Sequence, residues 1–148
     1  MSEEQMPKWL EIARKELGQA EIKGSKHNPR IIDYHFATSL KATEDEVPWC
    51  SSFANWCMKQ AMIKGTGSAA ARSWLDWGHK IEKPVPGTIC IFRRGSDPKS
   101  GHVGFYVGED EHTISLLGGN QGDRVSVAKY KKSELLGYRW PFPVLPSA

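Results

Sequence analysis

The sequence predicts an α+β protein in which N-terminal helices pack on a C-terminal antiparallel β-sheet. Two observations carry that expectation. Up to about residue 78, apolar residues recur at helical spacing. Beyond it they fall into short β-prone runs, "PVPGTICIF", "GHVGFYVG", "HTISLLGG", "RVSV" and "LGYRW", separated by turn residues. Helices first and strands second is the order of a segregated α+β architecture. The 148 residues suit one domain over 1–148, and no internal repeat, linker or low-complexity tract divides them.

The elements follow in order. Trp9, Ile12, Ala13, Glu16 and Leu17 keep helical spacing, and Gly18 is placed to cap that helix. In "HNPRIIDYHF", Asn28 is an N-cap and Pro29 stands at the first helical position of a second, short helix carrying Tyr34. "KATEDEV" is a polar connection. A third helix is expected from about Trp49 to Met62, with Phe53, Ala54, Cys57 and Ala61 on one stripe. A Gly/Ser-rich loop and a short helical stretch with Trp74 and Trp77 follow. In the strand region, Val103, Phe105 and Val107 alternate with His102, Gly104 and Tyr106. "GEDEH" reads as a five-residue turn, which would pair Val107 with Thr113 and His102 with Gly118, and set Asn120 beside His102.

The net charge is +3, and residues 1–78 hold equal numbers of acidic and basic groups. The excess lies in the second half, where Arg93, Arg94, Lys99, Arg124, Lys129, Lys131 and Lys132 are found. This reads as a solvated surface, because a nucleic-acid footprint needs a denser basic stripe. No apolar run is long enough to span a bilayer. The opening "MSEEQMPKWLEIARKEL" lacks the basic and apolar regions of a secretory signal, so synthesis in the cytoplasm is expected.

Three cysteines, Cys50, Cys57 and Cys90, are too few and odd in number for a disulfide framework. Cys50 and Cys57 are two helical turns apart, about 10 Å, which is too far to bridge. Their spacing is also unlike a zinc half-site. Cys50 falls in the first turn of the third helix, where free N–H groups and the positive dipole end favour a thiolate and an oxyanion. A purely structural Cys50 is the competing reading. Cys57 and Cys90 read as packed. Among five histidines, His102 has the context of a general base, opening a strand after a flexible loop. Asn120, or Gln121 beside it, is positioned to fix the imidazole.

Taken together, "PWCSSFANWC", "SGHVGFYVG" and "GGNQGDRVSV" resemble the cysteine/histidine-dependent amidohydrolase/peptidase (CHAP) domains. These are relatives of the NlpC-type cell-wall peptidases in the papain-like superfamily, and the resemblance is nearest to an endolysin-like subgroup. It extends to "NPRI", "GTGSAAARSW" and "LLGYRWP". It implies a papain-like fold and peptidoglycan as substrate. It further implies an amide cleaved through an acyl-enzyme, with Cys50 as nucleophile, His102 as base and Asn120 as orienting residue. Either an N-acetylmuramoyl-L-alanine amidase or an endopeptidase would fit. Many such domains carry a glutamate just before the asparagine, where this chain has Gly118 and Gly119. Tyr34 would supply an oxyanion donor. Trp49, Glu46, Gln121 and Trp74 would line the substrate cleft, with core packing the competing role for the tryptophans and a solvated loop for Glu46. The calcium-binding Asp-rich loop of some relatives is missing, so neither metal nor cofactor is expected. A monomer acting on the cell wall after holin-type release is one setting. An injected effector with an immunity protein, or a non-catalytic wall-binding module, is the alternative.

Overall fold

The computed structural model describes residues 6–22, 27–38, 49–98 and 100–141. Among these described residues, three α-helices precede a six-stranded antiparallel sheet. Helix α1, Lys8–Lys15, turns Trp9, Leu10 and Ala13 inward. Its trailing turn ends at Gly18, whose φ of 96° is the left-handed conformation that favours glycine. Helix α2, Pro29–His35, is capped by Asn28, whose side chain accepts from the Arg30 N–H at 2.9 Å. Helix α3, Cys50–Gln60, is the central one and buries eight of its 11 residues. It stops at Gln60 because the chain turns left-handed at Met62, φ 63°, leaving that side chain in solvent. His35 Nδ1 lies 3.0 Å from Ser52 Oγ and ties α2 to α3. A 3₁₀ segment, Ala71–Asp76, follows.

The strands are β1 (His79–Lys80), β2 (Ile89–Arg93), β3 (Gly101–Glu109), β4 (Thr113–Gly118), β5 (Ser126–Lys131) and β6 (Leu135–Trp140). They lie in the order β1-β6-β2-β3-β4-β5. The two-residue β1 went unforeseen, because "HK" shows no alternation and is a strand only by pairing with Trp140 and Arg139.

The expected β3–β4 register is corrected by two residues. Phe105 faces Leu117 and Tyr106 faces Leu116, after which a bulge shifts the pairing to Gly108–Ser115 and Glu109–Ile114. The connection is tighter than a five-residue turn because Asp110 organises it. Its carboxylate accepts from the N–H groups of His112 (3.0 Å) and Thr113 (2.8 Å) and from Thr113 Oγ1 (2.8 Å). Before the bulge the slip is two residues, which keeps the paired side chains on their expected faces because strand side chains repeat every two residues; beyond the bulge it is three.

The sheet is apolar on both faces. Ile89, Ile91, Val103, Phe105 and Leu117 pack with Trp9, Tyr34, Trp49, Phe53, Cys57 and Met58 from the helices. The alternate residues Cys90, Phe92, Ile114 and Leu116 form a second cluster, against which Tyr106, Tyr130 and Tyr138 lie. Each such large side chain, once fully buried, contributes roughly 2 kcal/mol of transfer free energy. Among the described residues no helix is long and apolar enough to cross a membrane.

Candidate active site

Cys50 opens α3, with Trp49 at the N-cap. The residue is nearly buried, at 8% exposure. Burial pushes the thiol pKa up. Opposing that are the backbone N–H of Val103, the Arg94 guanidinium, and the N–H groups of Ser51 and Cys50 itself, all of which favour the thiolate. The sulfur therefore sits where α3 begins, against the β3 backbone one residue past His102. Cys57 and Cys90 are fully buried, and burial pushes both thiols well up with no compensating donor. All three cysteines are free.

His102 stands at the start of β3, opposite Phe92 on β2. Its Nε2 lies 2.8 Å from Gln121 Oε1. The Gln121 amide is oriented unambiguously, because its Nε2 donates to Leu116 O at 3.1 Å and Ser126 O at 2.7 Å. Oε1 must then accept, so the imidazole carries its proton on Nε2 and presents a lone pair at Nδ1. Nδ1 accepts from Arg94 Nη2 at 3.3 Å. The imidazole face stacks on Tyr130, with ring centroids 4.7 Å apart. Burial pulls the imidazole down to about 4, with Gln121 opposing the shift and Arg94 adding to it. At neutral pH this is an uncharged imidazole with its acceptor nitrogen toward Arg94.

The two glycines before Asn120 have a geometric reason. A Cβ at Gly118 would meet Gln121 Oε1 at 2.6 Å. A Cβ at Gly119 would meet Phe53 Cβ at 2.6 Å and the Trp49 ring at 2.8 Å. Gln121 thus folds back through the space a side chain at 118 would occupy, and the end of β4 presses against the first turn of α3. The loop that orients His102 is packed against the helix that carries Cys50.

With this geometry in view, comparison with known proteins is informative. The profile of the CHAP domain matches residues 42–120, just over half of the chain, and includes Cys50, His102 and Asn120. The chain belongs to the CHAP domain family. The family is of the peptidoglycan-hydrolase and amidase type, as the sequence resemblance implied. A solved structure from Staphylococcus aureus subsp. aureus Mu50, described as similar to a lipoprotein of the NLP/P60 family, shares the fold. The TM-score is 0.52 at 17% identity, and the match covers 94% of this chain but 42% of that one. This CHAP domain thus spans less than half the length of that neighbour. No protein with a curated description matches it.

The remaining expected site residues of the CHAP domain divide clearly. Asn120 adopts a left-handed turn conformation, φ 58°, and its side chain makes no hydrogen bond among the described residues. The contact expected of it is made by Gln121. Tyr34 is fully buried, and its hydroxyl donates to Glu16 Oε1 at 2.8 Å. Burial and that carboxylate push the phenol well up. The expected oxyanion role of Tyr34 is therefore corrected: the hydroxyl is committed to Glu16, within an aromatic cluster of Trp49, Phe53 and Trp56.

Trp49 and Trp74 are also fully buried, which corrects their expected place on a cleft wall. Trp49 Nε1 donates to Glu21 Oε2 at 2.9 Å, and Trp74 Nε1 to Ser51 Oγ at 2.9 Å. Both brace the start of α3. Glu46 lies outside the described residues. Among those described, no group of three or more His, Cys, Asp or Glu side chains is arranged to hold a metal ion.

Two residues the sequence reading left aside belong to the site. Arg94 figures in the sequence only as surface charge, and Tyr130 lies outside every β-prone run named above. Burial pushes the Tyr130 phenol up to about 12, with Arg94 opposing and Cys50 adding to the shift, so its hydroxyl stands in the field of both. No short motif carries either residue. What connects them to His102 is the sheet, through β2, β3 and β5. No hydrogen bond links Cys50 to His102 directly. The link passes through the Val103 N–H and Arg94.

Proposed function

We propose that the protein is a peptidoglycan hydrolase of lysin type, cutting an amide of the stem peptide with Cys50 as nucleophile and His102 as general base. The observation supporting this reading most directly is the imidazole tautomer. Gln121 holds the proton on Nε2, leaving Nδ1 as the basic nitrogen, its lone pair held only by the long contact from Arg94. Burial raises the Cys50 thiol and lowers the His102 imidazole, so both rest neutral in this reading, in place of the resting thiolate expected from the helix start. The thiol proton passes to Nδ1 as the sulfur attacks the amide carbon, so the charged pair forms only as bonds change. The oxyanion is stabilised by the N–H groups at the start of α3, and the helix dipole points the same way. His102 then gives its proton to the leaving amine. Water, activated by the same nitrogen, releases the acyl group from sulfur.

The test uses purified cell walls. The wild-type protein should release soluble peptide-bearing fragments, and Cys50→Ala should release none while unfolding at a similar temperature. Equal release by Cys50→Ala and wild type ends the proposal. Mass spectrometry of the fragments shows whether the muramoyl–alanine bond or a bond within the stem is cut.

A further inference from the structure

Arg94 is an exposed cation at the mouth of a nearly buried nucleophile and base. It directly follows β2, one residue beyond Arg93. Its Nη2 rests on His102 Nδ1 at 3.3 Å, a long bond to a neutral acceptor. No carboxylate among the described residues pairs with it. The other arginines given polar contacts use them structurally. Arg72, Arg124 and Arg139 bond backbone carbonyls, Arg14 reaches Met6 Sδ, and Arg30 pairs with Glu16. Arg94 alone of these spends its contact on a candidate catalytic nitrogen.

We propose that Arg94 is a specificity-determining residue that receives a free carboxylate of the substrate, exchanging its contact with His102 Nδ1 for that ion pair. The exchange replaces a weak bond to a neutral nitrogen by a charge-assisted and potentially bidentate one. It also vacates Nδ1 at the moment the Cys50 proton needs it. On the peptidoglycan reading, the substrate class is then a stem peptide with an unamidated carboxylate next to the scissile amide. That part of the inference rests on the proposed function, and the carboxylate site itself does not.

The experiment compares two alkylating agents at Cys50, iodoacetate, which carries a carboxylate, and iodoacetamide, its neutral isostere. In each reaction the Sγ–C bond forms, the C–I bond breaks, iodide leaves with its electron pair, and the thiol proton goes to His102 Nδ1. Rates are read at Cys50 by tandem mass spectrometry, which separates it from Cys57 and Cys90. The iodoacetate-to-iodoacetamide rate ratio should fall about 5-fold in Arg94→Gln, as loss of one ion pair of about 1 kcal/mol implies. Arg94→Lys should keep part of the preference. The same ratio in wild type and Arg94→Gln, or no alkylation of Cys50 by either reagent, overturns the proposal. Cell-wall release is measured separately. An Arg94-dependent ratio without wall release supports the carboxylate site and overturns the peptidoglycan reading.

Discussion

His102 Nε2 and Gln121 Oε1 stand 2.8 Å apart, and the other end of the Gln121 amide is anchored on two backbone carbonyls. The glutamine cannot rotate without losing both anchors, so the tautomer of His102 is built into the loop after β4. Gln121→Ala removes the acceptor and leaves two carbonyls and a ring N–H without partners. Each buried group so orphaned costs about 1–3 kcal/mol. Wall-degrading activity should drop at least about 10-fold, whereas Asn120→Ala should stay within about 2-fold of wild type, because that side chain orients nothing. A larger loss in Asn120→Ala than in Gln121→Ala would reverse the assignment. Urea melts of both variants separate misfolding from misorientation.

Gln121→Glu tests the same contact through charge. A carboxylate on Nε2 favours the imidazolium, so the His102 pKa should rise from about 4. The acid limb of the pH–rate profile should move upward with it. An unmoved limb would show that His102 does not set it.

The depressed imidazole also makes stability depend on pH. Folded His102 titrates near 4 against an ordinary 6.5. Between those values the unfolded chain holds a proton that the folded protein refuses, so stability is complete above about 6.5 and falls as pH drops toward 4. The gap corresponds to on the order of 3 kcal/mol. Urea unfolding at pH 7 and pH 4.5 should show the loss in wild type, and less of it in His102→Asn. An equal loss in both would assign the pH dependence elsewhere.

Gly119→Ala places a methyl 2.6 Å from Phe53 Cβ and 2.8 Å from the Trp49 ring. Neither neighbour is a flexible chain end, and both sit in the first turn of α3 or its cap. Overpacking of this kind costs about 1–3 kcal/mol, and the displaced turn carries Cys50. The melting temperature and the activity should fall together. A variant with unchanged stability would mean that β4 and α3 do not meet as closely as described.

Asn55 gathers the loop behind the nucleophile. Its amide donates to Ser51 O at 3.0 Å and Ser68 O at 3.1 Å, and its oxygen accepts from the Gly67 N–H at 2.8 Å. Asn55→Leu has similar size but leaves those groups unpaired, which should cost about 2–4 kcal/mol in a denaturant titration. A loss below about 1 kcal/mol would show that water replaces the amide there.

Much of this protein is determined locally and was legible in the sequence. Asn28 before Pro29 dictates the start of α2, and Gly18 its predecessor's end, because capping is decided by a few adjacent residues. Cys50 was separable from Cys57 because one falls at a helix start and the other two turns along an apolar stripe. The alternation of β3 put His102 on the right face even though the register was two residues off, since a two-residue slip preserves faces. What tertiary structure alone decided is which polar group meets which. By position along the chain Asn120 is the first candidate and Gln121 the second. The choice fell to Gln121 because Gly118 leaves room for its side chain to turn back and Gly119 lets the loop press on α3. The same holds for Tyr34, drawn to Glu16 from a distant helix turn, and for Arg94, brought to His102 by the pairing of β2 with β3. Such contacts join residues far apart in the chain, so no local pattern encodes them, and only the packed sheet and helices select among the partners.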